Sequence, residues 1–589
     1  MALIKIQSFC LLFTILILFS LFPSPSSSSL SHHHSRRQKQ RRHSQSSQQL
    51  PTIFRPSFFT STESGGEWVT LQESIGVSAM HMQLLYNNKV VIFDRTDFGP
   101  SNLSLPDGKC RYNDEALDVD CTAHSLLYDV SSNTFRPLMV QTDVWCSSGA
   151  VNSDGTLIQT GGYHAGDHKI RLFSPCDDVD DCDWTELPQN LTVQRWYASD
   201  HILPDGRVII VGGRRAFSYE FFPKNVNNND GVFYLQFLRE TTDFKEENNL
   251  YPFLYILPDG NLYMFANQRS VVLDYVKNKI VKEFPMIPGE KRSYPATGSS
   301  VMLPLRLSAG DSAQNPVVEV MICGGASGGA YIKAQKGVFV RASSTCGRMR
   351  LTDPDPKWVM EDMPMGRVMP DMLLLPTGDV IILNGASKGT AGWENAYDPV
   401  LNPVLYSPNE PDPSKRFSVL NPSTIPRMYH SSATLLLDGR ILVGGSNPHV
   451  RYNFTGVRYP TELSLEAFSP PYLAPQNSYL RPSILAVEGQ ISGFLSYGQQ
   501  FSITFTLGFY QPEEELMVSM IAPSFTTHSF GMNQRLLVLD ILEIEQLSMF
   551  AYKVTVVAPP SRNIAPPGYY MIFVVHQNVP GQCVWVRIQ

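Results

Sequence analysis

Five residues with chemically useful side chains recur at one position of a repeated turn. Each lies nine residues before a turn glycine, and the five are Cys146, Tyr197, Tyr251, Met369 and His430. Around each, a glycine turn joins two short apolar runs, which is the pattern of a β-hairpin. If the repeats surround an axis, these side chains meet at a common centre. Cysteine, tyrosine and histidine at one centre indicate a metal site.

The clearest copy of the repeat is the stretch 193–213, VQRWYASDHILPDGRVIIVGG. Tyr197 is followed by the turn Pro204-Asp205-Gly206, the apolar run Val208 to Val211 and the pair Gly212-Gly213. A Pro-Asp-Gly turn joins strands, and a diglycine lets the backbone bend sharply where the second strand ends. The stretch is therefore predicted to be a hairpin with Tyr197 just before its first strand.

Second strands of the same kind follow at intervals of about fifty to seventy residues, without a long helical period between them. They lie near Val90, Leu157, Val208, Leu262, Val320, Val380 and Ile441. This spacing is typical of four-stranded propeller blades and predicts an all-β, seven-bladed kelch-type β-propeller over residues 53–460. We expect Glu67 to Glu73 to supply the outer strand that closes the ring.

The pattern changes after Ala467-Phe468-Ser469-Pro470-Pro471, which has the composition of a linker. Strict alternation of apolar residues in Phe501, Ile503, Phe505 and Leu507 indicates half-buried strands. Residues 465–589 are therefore predicted to form an immunoglobulin-like β-sandwich. His528 lies in the segment SFTTHSFGMNQR, which is expected to be a loop between its strands.

The N-terminal region differs in composition from the rest of the chain. Lys5 and the apolar run Phe9 to Phe22 predict a secretory signal over residues 1–23, since fourteen residues are short for a membrane span. The Ser-, His- and Arg-rich tract 24–52 is expected to be disordered. Residues 1–50 hold six Lys or Arg and no acid, so a net charge of −7 leaves −7 − 6 = −13 on the remainder. That charge argues against nucleic-acid binding, and we expect a secreted protein with no membrane association after signal cleavage.

Export permits disulfide bonds and glycosylation. With Cys10 removed, eight cysteines remain, and six are close enough in sequence to form local bridges: Cys110 with Cys121, Cys176 with Cys182, and Cys323 with Cys346. Cys583 stands apart with no predicted role, whereas the repeat gives Cys146 a different use. Acceptor sequons for glycosylation begin at Asn102, Asn190 and Asn453.

Four separated motifs resemble those of the copper radical oxidases of the galactose oxidase and glyoxal oxidase group. They are Trp145-Cys146-Ser147, Arg195-Trp196-Tyr197-Ala198-Ser199, Arg427-Met428-Tyr429-His430-Ser431, and Thr527-His528 followed by Asn533-Gln534-Arg535. They occur in the family's order, and the resemblance covers nearly everything after the low-complexity tract. The sequence is most similar to the plant glyoxal oxidase-like aldehyde oxidases.

The resemblance implies a cofactor and a ligand set. Cys146 would be thioether-linked to the ring of Tyr197, and the modified tyrosine would persist as a radical. One copper ion per chain would be held by Tyr197, His430 and His528 in its equatorial plane and by Tyr429 axially, with the last equatorial position open. Tyr251 and Met369 would line the central cavity without binding the metal.

The sequence departs from galactose oxidase at the position eighteen residues after Tyr197. Galactose oxidase has a tryptophan there that stacks on the thioether, whereas this chain has Arg215, preceded by Arg214. We therefore expect a more cationic substrate pocket with Arg215 at its mouth, and a preference for small aldehydes over sugar alcohols.

The function expected from the resemblance is a secreted oxidase that converts glyoxal- or methylglyoxal-like aldehydes to carboxylic acids and reduces O2 to H2O2. The apoplast or cell wall is the expected location, with cell-wall association a further expectation. A primary-alcohol oxidase using the same site is an alternative. Another is a catalytically silent kelch propeller that binds a cell-surface glycan or protein. The combined presence of Cys146, Tyr197, Tyr429, His430 and His528 disfavours that reading, because a binding module has no need of the set.

Overall fold

The structure is a computed structural model that describes residues 65–113, 116–176, 182–225, 231–308, 315–508 and 515–589. The predicted signal (1–23), the predicted low-complexity segment (24–52) and residues 53–64 of the predicted propeller lie outside the described residues. The chain divides into two units, Met1–Ser61 and Thr62–Gln589, and every described residue belongs to the second.

Short strands, numbered here in chain order, make up most of the described chain. The first are β1 (Glu67–Gln72), β2 (His81–Leu84), β3 (Lys89–Phe93), β4 (Arg111–Tyr112), β5 (Val119–Asp120), β6 (Ser125–Asp129), β7 (Thr134–Leu138), β8 (Ser148–Val151), β9 (Leu157–Thr160), β10 (Ile170–Phe173), β11 (Thr185–Glu186), β12 (Ala198–Ile202), β13 (Val208–Gly212), β14 (Ser218–Phe222) and β15 (Phe233–Tyr234). The next are β16 (Phe253–Ile256), β17 (Leu262–Ala266), β18 (Arg269–Asp274), β19 (Lys279–Glu283), β20 (Gly298–Met302), β21 (Leu305–Arg306), β22 (Glu319–Gly324), β23 (Thr345–Arg350), β24 (Val359–Asp362), β25 (Asp371–Leu374), β26 (Val380–Leu383), β27 (Ala386–Gly389), β28 (Ala396–Pro399), β29 (Val404–Tyr406), β30 (Phe417–Val419), β31 (Ser431–Leu435), β32 (Ile441–Gly445) and β33 (Leu465–Ser469).

The C-terminal strands are β34 (Ser483–Glu488), β35 (Gln500–Thr506), β36 (Leu516–Ala522), β37 (Phe525–Thr527), β38 (Phe530–Met532), β39 (Arg535–Val538), β40 (Ile541–Gln546), β41 (Ala551–Val557), β42 (Gly568–His576), β43 (Val579–Pro580) and β44 (Val584–Ile588). Helices among the described residues are short: the α-helical turns Gln236–Glu240 and Ala330–Ala334, and 3-10 turns at Pro106–Gly108, His164–Gly166, Pro413–Lys415, Pro471–Leu473 and Pro475–Leu480. The all-β prediction is confirmed. No helix of the described residues is long and apolar enough to cross a membrane.

Most strands up to β33 pair antiparallel into sets of four, apart from the two-stranded sheets β4-β5 and β27-β28 and from β21, which pairs with β39. Their orders are β2-β3-β6-β7, β8-β9-β10-β11, β12-β13-β14-β15, β16-β17-β18-β19, β20-β22-β23-β24, β25-β26-β29-β30 and β31-β32-β33-β1. In the last set the N-terminal strand β1 is the outer strand, with Trp68 opposite Phe468. The predicted closing strand is therefore present, and it ties the start of the described chain to its last repeat.

A hairpin from the C-terminal part of the chain lies among the inner strands of these sheets. Strand β37 contacts β2, β8 and β31, while β38 contacts β12, β16, β20 and β25. The first strand of every set thus touches one hairpin, which requires the sheets to be arranged radially around it. Pairing of β37 with β2, with His81 opposite Thr527, fixes the hairpin in this position.

The C-terminal strands form two further sheets, in agreement with the predicted sandwich. One has the order β34-β35-β41-β40, and the other contains β39, β36, β42, β43 and β44, extended by β21 from the propeller. Phe501, Ile503 and Phe505 are buried in the core, as their alternation predicts. The predicted linker is wrong at Ala467 to Ser469, because Leu465–Ser469 is the strand β33 between β32 and β1. Phe468 is fully buried there, so its apolar side chain reflects burial in the last propeller sheet. The propeller therefore extends past residue 460.

The three predicted disulfides are confirmed: Cys110–Cys121, Cys176–Cys182 and Cys323–Cys346. Cys146 and Cys583 are free and buried. Asn102 and Asn190 are exposed, and Asn453 is half-buried.

Buried arginines hold the ends of the strands within several sheets. Arg195, Arg292, Arg367 and Arg427 each donate from Nη1 to the carbonyl at the end of a second strand and to another carbonyl beyond it. Arg195 is fully buried and also pairs with the buried Glu220 at 3.0 Å. Arg427 pairs in the same way with Glu466 at 2.8 Å. Arg195 and Arg427 belong to the sequence motifs, but their structural role was not predicted.

Replacing Arg195 with methionine should lower the free energy of unfolding by about 3–5 kcal/mol, because the buried carboxylate of Glu220 loses its main counterion. Urea unfolding of the wild type and variant measures the difference. Lys224→Met is the matched control, since Lys224 contacts the same carboxylate at 3.2 Å from a partly exposed position and should cost at most about 1 kcal/mol. Equal losses in the two variants would contradict this account.

Candidate metal centre

The residues that precede the inner strands share an unusual backbone conformation. Cys146, Tyr197, Tyr251, Met369 and His430 all have φ between 50° and 68°. Side chains other than glycine pay about 1–2 kcal/mol in this left-handed region. The repeat recognised in the sequence is therefore one backbone conformation, adopted where each chain segment turns into its inner strand. Thr297, with φ 39° before β20, adopts it too, but it has no glycine nine residues later and was missed.

Backbone hydrogen bonds join these residues from one sheet to the next. The Tyr197 N–H donates to the Cys146 carbonyl at 3.0 Å, and the Tyr251 N–H donates to the Tyr197 carbonyl at 3.0 Å. The Met369 N–H likewise donates to the Thr297 carbonyl at 2.8 Å. The segments of Cys146 and Tyr197 are thus adjacent at the level of the main chain.

The pair Gly161-Gly162 also contacts the chain segments that precede Cys146 and Tyr197. The Gly162 N–H donates to the Arg195 carbonyl at 3.1 Å. A Cβ atom on Gly161 would lie 2.1 Å from the Arg195 oxygen, and one on Gly162 would lie 2.1 Å from the Asp143 oxygen. Only glycine permits this approach, so the diglycine holds together the chain segments that lead to Cys146 and Tyr197.

His528 arrives at the centre on the tip of the hairpin β37–β38. The predicted loop is this hairpin, and His528 and Ser529 are its two turn residues, with φ 46° and 72°. Two positive φ values are the pattern of a type I′ turn, which favours Asn-Gly. The left-handed backbone conformation there is unfavourable for histidine. The contacts of the His528 side chain account for the residue at this position: Nδ1 lies 2.6 Å from Thr527 Oγ1, and Nε2 lies 3.1 Å from Cys146 Sγ.

Three donor atoms form a buried cluster at this point. One ligand atom each from Cys146, His430 and His528 lies within 4.8 Å of the others. Both ring nitrogens of His430 are buried without a hydrogen-bond partner, and a metal bond would give one of them a partner. Burial lowers the pKa of His430 and His528 well below the usual range, so both imidazoles are neutral and able to bind a metal.

Tyrosine hydroxyls lie beside this cluster. The Tyr197 hydroxyl lies 3.3 Å from that of Tyr294, which lies 2.9 Å from that of Tyr429. The Tyr429 ring stacks on His430 with centroids 3.9 Å apart. Burial raises the pKa of Tyr197 and Tyr429 well above the usual range, so each is a protonated phenol unless a cation binds. Imidazole nitrogen, phenol oxygen and cysteine sulfur together suit copper.

Tyr294 connects the two predicted tyrosines and was missed in the sequence analysis. It is buried, and its ring lies 4.6 Å from that of Tyr197. It lies three residues before Thr297, outside the repeated position, so neither spacing nor motif distinguished it. The Tyr251 hydroxyl donates to the Ser147 carbonyl at 3.1 Å, and its ring lies 5.1 Å from that of His528, as a wall residue.

A cavity of about 480 Å³ lies over Tyr197, Tyr294 and Tyr429. Its wall includes Trp196 and Arg214. Arg215 lies outside that wall, in a neighbouring cavity that Arg214 and Trp196 also line. The structure therefore places the guanidinium of Arg214, and not that of Arg215, beside the tyrosines. This happens because the Arg214 N–H donates to the Trp196 carbonyl at 2.6 Å, which turns the Arg214 side chain over the Trp196 ring at 5.2 Å.

The Trp196 ring covers one face of the Tyr197 ring, a contact that was not predicted from the sequence. Its ring centroid lies 4.7 Å from that of Tyr197, with 33° between the planes. Tyr197 is thus covered by an aromatic ring from the preceding residue. This contact was missed because only the position eighteen residues after Tyr197, Arg215, was compared with galactose oxidase.

Comparison with known proteins gives consistent matches along the chain. Residues 80–472 match the family described as glyoxal oxidase N-terminus, and residues 481–588 match the galactose oxidase-like early set domain. The chain is 44% identical over 533 residues to aldehyde oxidase GLOX1 of Arabidopsis thaliana, covering 89% of this chain and 84% of the relative. It is 45% identical over 526 residues to aldehyde oxidase GLOX of Vitis pseudoreticulata, covering 89% and 97%.

Among solved structures, a fungal alcohol oxidase of the AA5 family in complex with copper aligns with a TM-score of 0.67. The alignment covers 89% of this chain and all of that one, at 19% sequence identity. At that identity it supports the shared fold and no finer statement.

We expect the wild-type protein to bind one Cu(II) per chain. His528→Ala should bind Cu(II) at least about a hundred-fold more weakly, because losing a proposed ligand should weaken binding more than losing a residue that only hydrogen-bonds to a ligand. Equilibrium titration against a competing chelator measures this. His168→Ala removes a histidine that pairs with Asp167 at 2.6 Å and should leave binding unchanged. Full copper affinity in His528→Ala would show that this ligand has been assigned wrongly.

Proposed function

The chain belongs to the glyoxal oxidase family, and we propose that it is a copper radical oxidase that converts small aldehydes to carboxylic acids while reducing O2 to H2O2. The observation that carries the proposal is the convergence of Cys146, His430 and His528, with donor atoms within 4.8 Å, beside the linked hydroxyls of Tyr197 and Tyr429. Both relatives described above are named aldehyde oxidases.

The resident groups of the proposed enzyme are copper and a modified tyrosine. Tyr197, Tyr429, His430 and His528 would hold the metal, and a thioether would join Cys146 to the Tyr197 ring. Bound copper would supply a one-electron acceptor and a positive charge that polarises the substrate oxygen. Sulfur substitution would make the Tyr197 ring easier to oxidise, so that the ring stores the second oxidising equivalent.

The residues divide the reaction between them. For an aldehyde hydrate, Tyr429 would accept the proton of a hydroxyl group in the deprotonated form that a bound cation favours, and the oxidised Tyr197 would remove a hydrogen atom from the carbon. One further electron leaves the substrate, so two electrons and two protons are removed and the carboxylic acid is formed. The overall reaction is RCH(OH)2 + O2 → RCOOH + H2O2. Tyr294 lies between the two tyrosines and orients both hydroxyls.

We propose that Arg214 selects the substrate. Its guanidinium is partly exposed in the cavity wall and is held over Trp196 by a salt bridge to Glu247 at 3.0 Å. A second carbonyl or a carboxylate next to the reacting carbon would accept a charge-assisted hydrogen bond from it. Glyoxal and methylglyoxal carry such an oxygen, which favours them as substrates.

The proposal extends to the location of the protein. We propose that the signal 1–23 directs export, that Asn102, Asn190 and Asn453 are glycosylated, and that the enzyme acts in the apoplast or at the cell wall. The three disulfides support an oxidising compartment. We also propose division into a propeller and a C-terminal sandwich, with the boundary after β33.

Copper-loaded, oxidant-activated protein should release H2O2 and consume equimolar O2 with glyoxal and methylglyoxal. A coupled peroxide assay and an oxygen electrode measure the two quantities. Tyr197→Phe should lose at least about a thousand-fold in kcat/KM, because no radical forms without the phenol oxygen, a loss of roughly 4 kcal/mol. Activity restricted to primary alcohols, or equal rates in Tyr197→Phe, would contradict the proposal.

Arg214→Gln should lower kcat/KM for glyoxal and methylglyoxal by roughly ten- to a hundred-fold, since a charge-assisted hydrogen bond contributes about 1.5–3 kcal/mol. In the same variant, the kcat/KM for butanal, which lacks a second oxygen, should change much less. Arg215→Gln is the matched control and should leave the ratio between these substrates unchanged. If Arg215→Gln moves the ratio and Arg214→Gln does not, the pocket has been assigned to the wrong arginine.

A further inference from the structure

A chain of touching aromatic rings leads from Tyr197 to the protein surface. The Trp196 ring lies 4.7 Å from Tyr197, and the Tyr163 ring lies 4.5 Å from Trp196. His164 stands edge-on to Tyr163 at 4.1 Å and is exposed. Tyr197 is buried, whereas Trp196 and Tyr163 are half-buried. The steps from Tyr197 through Trp196 to Tyr163 are therefore direct ring contacts between side chains that can carry an electron.

The outer end of this path opens into a separate cavity. We define the outer cavity by Tyr163, His164, Trp196, Arg214 and Arg215, which line a space of about 540 Å³. The substrate cavity over Tyr197, Tyr294 and Tyr429 lies on the other side, and Trp196 and Arg214 border both. A reagent in the outer cavity could thus contact the aromatic path without occupying the substrate cavity.

The backbone turn at Gly161-Gly162 holds Tyr163 in place. Tyr163 directly follows Gly161-Gly162, whose close approach to the Arg195 and Asp143 carbonyls sets its ring against Trp196 and Trp145. Its ring lies 4.8 Å from Trp145, next to Cys146. The diglycine that aligns Cys146 with Tyr197 therefore also docks Tyr163 on the aromatic cluster.

The charge of the outer cavity favours an anionic partner. Arg214 is paired with Glu247, and the carboxylate of Asp167 in the cavity wall lies 2.6 Å from His168. Arg215 is exposed and takes part in none of the ion pairs found among the described residues. Its guanidinium is available to an anion at a site where the chain as a whole is acidic.

We propose that the outer cavity is an electron-transfer port, through which a one-electron oxidant with an anionic surface oxidises Tyr197 by way of Tyr163 and Trp196. The proposal rests on the radical cofactor of the proposed function. Metal ligands bind in their deprotonated form, so Tyr197 is a phenolate when metal is bound. One electron then passes from Tyr197 to the oxidant, Tyr197 becomes the radical, the oxidant is reduced by one electron, and no proton moves.

The guanidinium of Arg214 disfavours an electron vacancy that rests on Trp196. It lies 5.2 Å from the centre of the Trp196 ring, on which a positive charge is therefore disfavoured. An electron vacancy created at Tyr163 would pass Trp196 without remaining there and would settle on Tyr197. The port would thus activate the enzyme from outside while keeping the radical at the buried tyrosine.

The test measures the rate of radical appearance instead of turnover. Copper-loaded protein with Tyr197 reduced is mixed with hexachloroiridate(IV), an anion, or with tris(bipyridine)osmium(III), a cation, and radical absorption and EPR are followed. Tyr163→Leu should slow radical formation at least tenfold with both oxidants, while Tyr163→Trp, which keeps a redox-active ring, should retain the wild-type rate. Arg215→Glu should slow the anion roughly three- to tenfold at low salt and speed up the cation.

The kcat/KM of enzyme already in the radical form should be unchanged in all three variants, which separates the port from the substrate site. Unchanged activation rates in Tyr163→Leu, or equal effects of Arg215→Glu on both oxidants, would overturn the port while leaving the proposed function intact. Should Tyr163→Leu fail to fold, the charge reversal at Arg215 decides the matter alone. Absence of any radical in the wild type would overturn the cofactor itself, and the port with it.

Discussion

The hydrogen bond from the Tyr197 N–H to the Cys146 carbonyl is the constraint on which the rest of the site depends. It belongs to a series of left-handed residues that precede inner strands, in which the N–H groups of Tyr197, Tyr251 and Met369 each donate to the carbonyl of the preceding member of the series. This geometry is unfavourable for side chains other than glycine. A propeller that keeps Cys146, Tyr197 and His430 there accepts local strain in return for side chains that meet at one point.

The propeller does not complete this point alone. His528 comes from the turn of the hairpin β37–β38, which pairs with β2 and touches the inner strand of every sheet. The hairpin is thus both a central element of the fold and the carrier of a proposed metal ligand. Burial by the surrounding strands keeps the imidazoles of His430 and His528 neutral. The C-terminal part of the chain therefore stabilises the propeller and supplies half of its imidazole donors.

Much of this could be predicted from the sequence, because a repeated left-handed turn leaves a fixed distance between one residue and one glycine. That spacing identified Cys146, Tyr197 and His430, and the motifs added Tyr429 and His528. The features that could not be predicted depend on side-chain packing between segments that are distant in the sequence. Tyr294 lies outside the repeat, Arg214 turns over Trp196 where Arg215 does not, and Phe468 lies in the strand that pairs with the closing strand β1, about four hundred residues earlier in the chain.

The account makes one covalent claim, that the adjacency of Cys146 and Tyr197 is used to join them. Cys146 and Tyr197 lie in segments that are hydrogen-bonded to each other and held together by Gly161 and Gly162, which supports the proposed link. The most direct test is peptide mapping with intact mass on copper- and oxygen-treated protein. The account predicts one cross-linked species that contains both peptides and has lost two hydrogen atoms, and it predicts none in Tyr197→Phe. Recovery of Cys146 and Tyr197 as separate, unmodified peptides from active enzyme would contradict it.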